Sequence, residues 1–169
     1  ANAHAIFIKD SCKGGCKNIS NCIFLNCGSG KGGYSIYSDA SELNLKESTI
    51  EFSDQSIACG CVRCSQKGSY TFIGNTFKNA NGNNAPNDYF SPGIHMEGRG
   101  DSSEYIELNG NTFDNIIGPN EGRCFSADIK EGTFTYLSAN YIQNCPSDNS
   151  GKSGFFVKII QRKAISNFT

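Results

Sequence analysis

Nine cysteines in 169 residues are the densest set of reactive side chains in this sequence. They fall as Cys12, Cys16, Cys22 and Cys27, then Cys59, Cys61 and Cys64, then Cys124 and Cys145. Cys59-x-Cys61-x-x-Cys64 brings three soft ligands together, enough for zinc if a fourth ligand folds nearby. The competing reading is burial, because Ile57, Cys59 and Cys61 alternate along one face of a strand, where thiols pack as small hydrophobes. We take burial or disulfide bonding as the expectation and assign no metal or cofactor. Cys12 and Cys16 flank two glycines in a loop that could close a short disulfide. The odd total leaves at least one thiol free or paired outside the chain.

Carboxylates offer a second chemistry. Cleavage of acidic polysaccharides needs acidic residues converging on one exposed face, for calcium or acid catalysis, with an Arg or Lys as base. The candidates are Asp88, Glu97, Arg99, Asp101, Arg123 and Asp128, and the densest group is Glu97-Gly-Arg99-Gly-Asp101. It follows a strand, and Asp128 would lie one repeat further along, so Asp101 and Asp128 are the first carboxylates to test. The ordinary reading of this segment is a solvated loop. Arg99-Gly100-Asp101 also has the form of a receptor-binding tripeptide, a short match that chance supplies.

The remaining candidates are weaker. His4 and His95 have no Ser or Cys partner in a catalytic frame, and His95, between apolar Ile94 and Met96, is expected to point outward into solvent. Thr49, Thr76 and Thr112 align as an outward row, without the paired ranks an ice-binding face requires. Asn18-Ile19-Ser20 and Asn167-Phe168-Thr169 are glycosylation triplets at the frequency chance predicts.

What positions these residues emerges from a repeat. Five segments align: Cys22–Asn26, Ser48–Phe52, Asn75–Asn79, Asn111–Asn115 and Asn140–Asn144, with a sixth beginning at Ser166. Their starts are separated by 26, 27, 36, 29 and 26 residues. The third position is apolar in every copy: Phe24, Ile50, Phe77, Phe113, Ile142 and Phe168. Five residues before it stands Ile19, Leu45, Phe72, Leu108 or Leu137, and Leu43, Tyr70 and Ile106 continue the alternation, which is strand periodicity.

An odd step between two apolar residues would send them to opposite faces of one strand, so a corner must intervene. Asn75, Asn111 and Asn140 stand there, and Asn is the non-glycine residue that best tolerates a left-handed bend. A further short strand precedes each pair: Ile6–Ile8, Tyr34–Ile36, Ile57–Cys61, Ile94–Met96, Phe125–Ala127 and Phe155–Val157, several of them after glycine.

Three short strands per turn with polar corners describe a coil of a parallel β-solenoid. Composition agrees: 19 Asn, 20 Ser and 19 Gly favour corners over helix interiors. The expected architecture is an all-β, right-handed parallel β-helix of about six coils, 26–36 residues each, as a single domain over residues 1–169. The first five apolar repeat residues and Phe168 should stack as one core column.

Phe24-Leu25-Asn26 followed by Gly32-Gly33-Tyr34-Ser35-Ile36 resembles the FxxN and GGA[ILV] repeats of the polymorphic outer membrane protein family. Looser versions are Phe77-Lys78-Asn79 before Pro92-Gly93-Ile94, and Asn144 before Ser153-Gly154-Phe155. The Asn here lies two residues after Phe rather than three, and the Gly pair is intact once. The resemblance implies a solenoid in a surface or secreted setting.

Charge narrows the partners. With 15 Lys and Arg against 16 Asp and Glu, the net charge of −1 does not suit an electrostatic nucleic-acid binder. No apolar run approaches the ~18 residues of a membrane span. Starting at Ala1, with strands at both ends and no capping element, the chain reads as a processed product or fragment of a longer protein, or as a stacking unit. Its partners would then be further copies, adjoining coils, or a cell-surface or glycan ligand. The expected function is a non-enzymatic stalk, adhesin or filament unit at the cell surface or outside the cell. The alternative is a polysaccharide lyase or hydrolase on the same scaffold.

Overall fold

The computed structural model describes residues 4–9, 17–28, 33–53, 58–66, 68–83, 91–97, 104–118, 123–145 and 157–166. At 104, 128–137 and 157–166 it describes the backbone. Among these residues there is no helix, and the strands pair in parallel register as a β-solenoid. Three stacks build it. The first contains β1 (Ile6–Ile8), β4 (Gly33–Ser38), β7 (Cys59–Cys64) and β10 (Ile94–Glu97). The second contains β2 (Asn18–Ser20), β5 (Glu42–Lys46), β8 (Ser69–Ile73) and β11 (Glu104–Asn109). The third contains β3 (Ile23–Leu25), β6 (Thr49–Glu51), β9 (Thr76–Lys78), β12 (Thr112–Asp114) and β14 (Tyr141–Gln143).

The first two stacks join through β13 (Phe125–Ser138), which pairs with β10 at its start and β11 at its end. β15 (Val157–Ser166) runs along β13. Here the structure departs from the expected pair of separate strands. Residues 128–136 carry no Pro or Asn to break the chain, and the extended backbone continues, absorbing one register shift opposite Ile106/Glu107. The coil count also differs from six: among the described residues the third sheet has five stacked strands. Phe168 lies outside the described residues, so the sixth member of the column is not seen.

The repeat residues are in register across the third sheet, Phe24 opposite Ile50, Ile50 opposite Phe77, Phe77 opposite Phe113, and Phe113 opposite Ile142. The first four are buried and Ile142 packs partly buried at the end. Phe77 and Phe113 stack with ring centroids 5.0 Å apart. Parallel columns of Leu45, Phe72 and Leu108, and of Ile36, Val62, Ile94 and Phe125, complete the core. Each buried side chain of this size stabilises by roughly 1.5–3 kcal/mol.

The corner between second and third strands is one residue displaced from expectation. The left-handed residues are Asn21, Glu47, Gly74, Gly110 and Ala139, with φ from 49° to 65°. The following Cys22, Ser48, Asn75, Asn111 and Asn140 form a ladder instead. Asn75 Nδ2 donates to Leu45 O at 2.8 Å and to Asn111 Oδ1 at 3.0 Å. Asn111 Nδ2 repeats this toward Phe72 O at 2.8 Å and Asn140 Oδ1 at 2.9 Å. The backbone N–H groups of Ser48, Asn75 and Asn111 donate to the Oδ1 of the next Asn at 3.0–3.1 Å. A carboxamide suits this position because it accepts and donates at once. The other Asn of the repeat, Asn26, Asn79, Asn115 and Asn144, take the left-handed bend after the third strand, with φ from 51° to 58°.

Glycine before the first strand has a packing cause. A Cβ on Gly93 would lie 2.1 Å from Cys124 O of the adjoining coil, so the two backbones meet only without a side chain.

Candidate functional site

The outward side of the first stack carries a charged constellation with a defined geometry. Tyr37, Arg63 and His95 are opposite one another in β4, β7 and β10, with Phe7 of β1 opposite Tyr37. Arg63 Nη2 donates to Glu97 Oε1 at 2.5 Å, and His95 Nε2 lies 3.3 Å from the same oxygen. The Arg63 guanidinium carbon is 5.5 Å from the Tyr37 ring centre and 6.0 Å from that of Tyr34. On the other side of Tyr37, Phe7 stacks at 5.2 Å and His4 at 5.0 Å.

Phe7, Tyr37, Arg63 and Glu97 therefore form a ladder across four coils, aromatic at one end and ionic at the other. Its electrostatics make Glu97 a fixed anion. The hydrogen bond with His95 and the Arg63 charge outweigh partial burial and hold its carboxyl well below the usual range, at about 2. A general acid needs the opposite shift, toward the working pH. Burial pushes the Tyr34 phenol up, so it stays protonated and donates to Ser91 O at 3.4 Å.

The acidic candidates are only partly brought together. β13 places Asp128 directly opposite Glu97 in backbone register. Asp88, Arg99 and Asp101 lie outside the described residues, and so does the Arg-Gly-Asp tripeptide. Arg123 is buried in the interior, 1% exposed, rather than presented on a face. His95 is corrected as well. It points outward as its parity requires, yet it is 8% exposed and engaged with Glu97 rather than solvated.

Cys59, Cys61 and Cys64 are buried within the core cluster. Burial pushes the Cys61 and Cys64 thiols up, as it should for groups that must stay neutral there. Among the described residues no group of His, Cys, Asp and Glu is arranged to hold a metal. Cys12 and Cys16 lie outside them. Thr49, Thr76 and Thr112 share one register row, continued by Ile23 and Tyr141. Asn18 is on β2, its Oδ1 accepting from Asn44 Nδ2 at 3.0 Å, while Asn167 is not described.

Sequence reasoning missed Tyr37 and Arg63. The signal was available: each follows the central apolar residue of its first strand, as His95 follows Ile94. Reading that strand in the third coil as Ile57–Cys61 hid the match, since β7 is Cys59–Cys64 and Val62 takes the core position.

Comparison with protein-family models, curated proteins and solved structures returned no match.

Proposed function

We propose that this protein is a non-enzymatic β-solenoid rod, a stalk or filament unit at the cell surface or outside the cell. The observation that carries the reading is the Asn ladder, which links Ser48, Asn75, Asn111 and Asn140 along the direction of stacking. Ser48, Asn75 and Asn111 are buried at the corner and hydrogen-bond to the neighbouring coil. The Phe7–Tyr37–Arg63–Glu97 ladder does the same on the outer face, covering Tyr37 on both sides and binding Glu97 to Arg63. Both arrangements spend chemistry on axial cohesion, the property a rod requires.

Self-association follows from the same logic. Among the described residues β1, β2 and β3 pair on one side only, and a strand edge of this kind invites another strand. Exposed Phe7, Ile23 and Leu25 sit on this first coil. The partner is a second copy or adjoining coils of a larger chain.

Negative-stain microscopy and sedimentation over a range of concentrations test this reading. Rods that lengthen with concentration are expected, with no cleavage of acidic polysaccharides. A particle of constant single-chain mass that cleaves such a polymer, and loses that activity in Asp101→Ala or Asp128→Ala, overturns it in favour of the enzyme.

A further inference from the structure

Cys124 stands immediately before β13, and Cys145 stands two residues after β14, so the two thiols close the circuit of a single coil. Their Sγ atoms are 4.0 Å apart. Cys124 is fully buried and Cys145 half-buried. A disulfide needs the sulfurs at ~2.05 Å, so the two must move closer by about 2 Å. We propose that Cys124 and Cys145 are an oxidisable thiol pair that closes into a disulfide, with Cys145 as the sulfur that reacts first.

Position assigns the roles. Cys145 is the member an oxidant can reach, and Ile116 N–H points at its Sγ from 3.3 Å. The hydrogen bond from Cys124, with that N–H, draws the Cys145 thiol below its ordinary value despite partial burial. The same hydrogen bond and burial push the Cys124 thiol up, keeping it protonated until it is needed. An accessible nucleophile beside a buried second thiol is the arrangement of a reactive pair.

Cys22 and Cys27 donate to Ser20 O at 3.2 Å and Leu25 O at 3.3 Å, as Cys145 does to Gln143 O at 3.2 Å, and what sets Cys145 apart is the Cys124 sulfur beside it. Cys59, Cys61 and Cys64 are fully buried, closed to a soluble oxidant.

With a small disulfide such as oxidised glutathione, the Cys145 thiolate attacks one glutathione sulfur. The glutathione S–S bond breaks, one glutathione thiolate leaves, and a mixed disulfide forms on Cys145. Cys124 then gives up its proton to the medium, attacks the Cys145 sulfur and expels the second glutathione. The two cysteines lose two electrons and two protons, and the oxidant becomes two glutathione thiols.

The test treats the reduced full-length chain with oxidised glutathione and maps its peptides without reduction. A peptide joining Cys124 to Cys145 is expected, lighter than the reduced pair by two hydrogens, with a higher urea midpoint for the oxidised protein. Cys124→Ser should retain glutathione on Cys145, and Cys145→Ser should leave Cys124 unmodified. Alkylation of Cys145 should reach half its plateau rate below the ~8.5 of an ordinary thiol. A wild-type map joining Cys124 to Cys61, a lasting glutathione adduct on wild-type Cys145, or no reaction at Cys145 overturns the proposal. The wild-type map decides even if a variant fails to fold. Failure here leaves the rod intact, since its ladders involve neither sulfur.

Discussion

Two connections within each coil behave in opposite ways. From second strand to third, five residues separate the core positions every time: Ile19 to Phe24, Leu45 to Ile50, Phe72 to Phe77, Leu108 to Phe113, and Leu137 to Ile142. From first strand to second, the linker shrinks from residues 9–17 to 39–41, lengthens to 98–103, and vanishes inside β13. The difference teaches where a solenoid is rigid. The short corner buries Ser48, Asn75 and Asn111, and the N–H of each is satisfied by the Asn of the next coil, so an inserted residue would break that rung. The other connection varies in length from coil to coil, and added loop length costs little. The 36-residue interval between Phe77 and Phe113 is accommodated there and in the segment before β10.

Mutations on the two sides should separate accordingly. The largest effect belongs to the column behind the corner: Phe77→Ala should cost about 3–5 kcal/mol in urea unfolding, the range for removing a buried ring. A loss under ~1 kcal/mol would mean that the coils do not share one packed column.

Next is the ladder itself. Asn75→Ala strips Ser48 N–H of its acceptor and Leu45 O of its donor in a buried corner. Each orphaned group costs about 1–3 kcal/mol, so a loss of roughly 2–4 kcal/mol is expected. Hydrogen exchange should accelerate first at Ser48, and an unchanged rate would separate the ladder from corner stability.

The bend residue offers a change of sign. Ala139 has φ 54° where the coils before it place Gly74 and Gly110. A left-handed L-residue costs roughly 1–2 kcal/mol, so Ala139→Gly should stabilise and Gly74→Ala destabilise by about 1 kcal/mol each. A Cβ on Gly74 meets only Glu47 Cγ at 3.7 Å, so backbone conformation alone is tested. Equal melting temperatures for Ala139→Gly and wild type would count against the strain.

The smallest effect is on the outer face. Arg63 and Glu97 are about a quarter exposed, and pairs of this kind contribute about 0.2–1 kcal/mol. The sign with pH is fixed by the depressed carboxyl. Its contribution is present above the ordinary 4.5 and is lost as pH falls toward about 2. Acid titration of stability should be shallower over that window in Glu97→Gln than in wild type. Parallel curves would remove the ionic end of the outer ladder.

The core column and the third strands were legible because the five-residue corner repeats without drift, and a short repeat of fixed length survives loop variation. Asn at the corner was legible as a type but not in its role. Composition suggests a bend, whereas the structure uses the amide as a rung and gives the bend to the residue before it. The outer ladder was not legible, because pairing Arg63 with Glu97 requires the register of β7 against β10, and the linkers between them vary. The same holds for the Cys124–Cys145 approach, which depends on how a coil closes.

By itself the sequence determined the period, the parallel β-solenoid class and the residues of the core column, since alternation and spacing are local properties that any fold must respect. Tertiary structure alone decided the coil register, the fusion of two strands into β13, the burial of His95 and Arg123, and which sulfur meets which. Those depend on the axial stacking of strands whose connecting segments carry no fixed length.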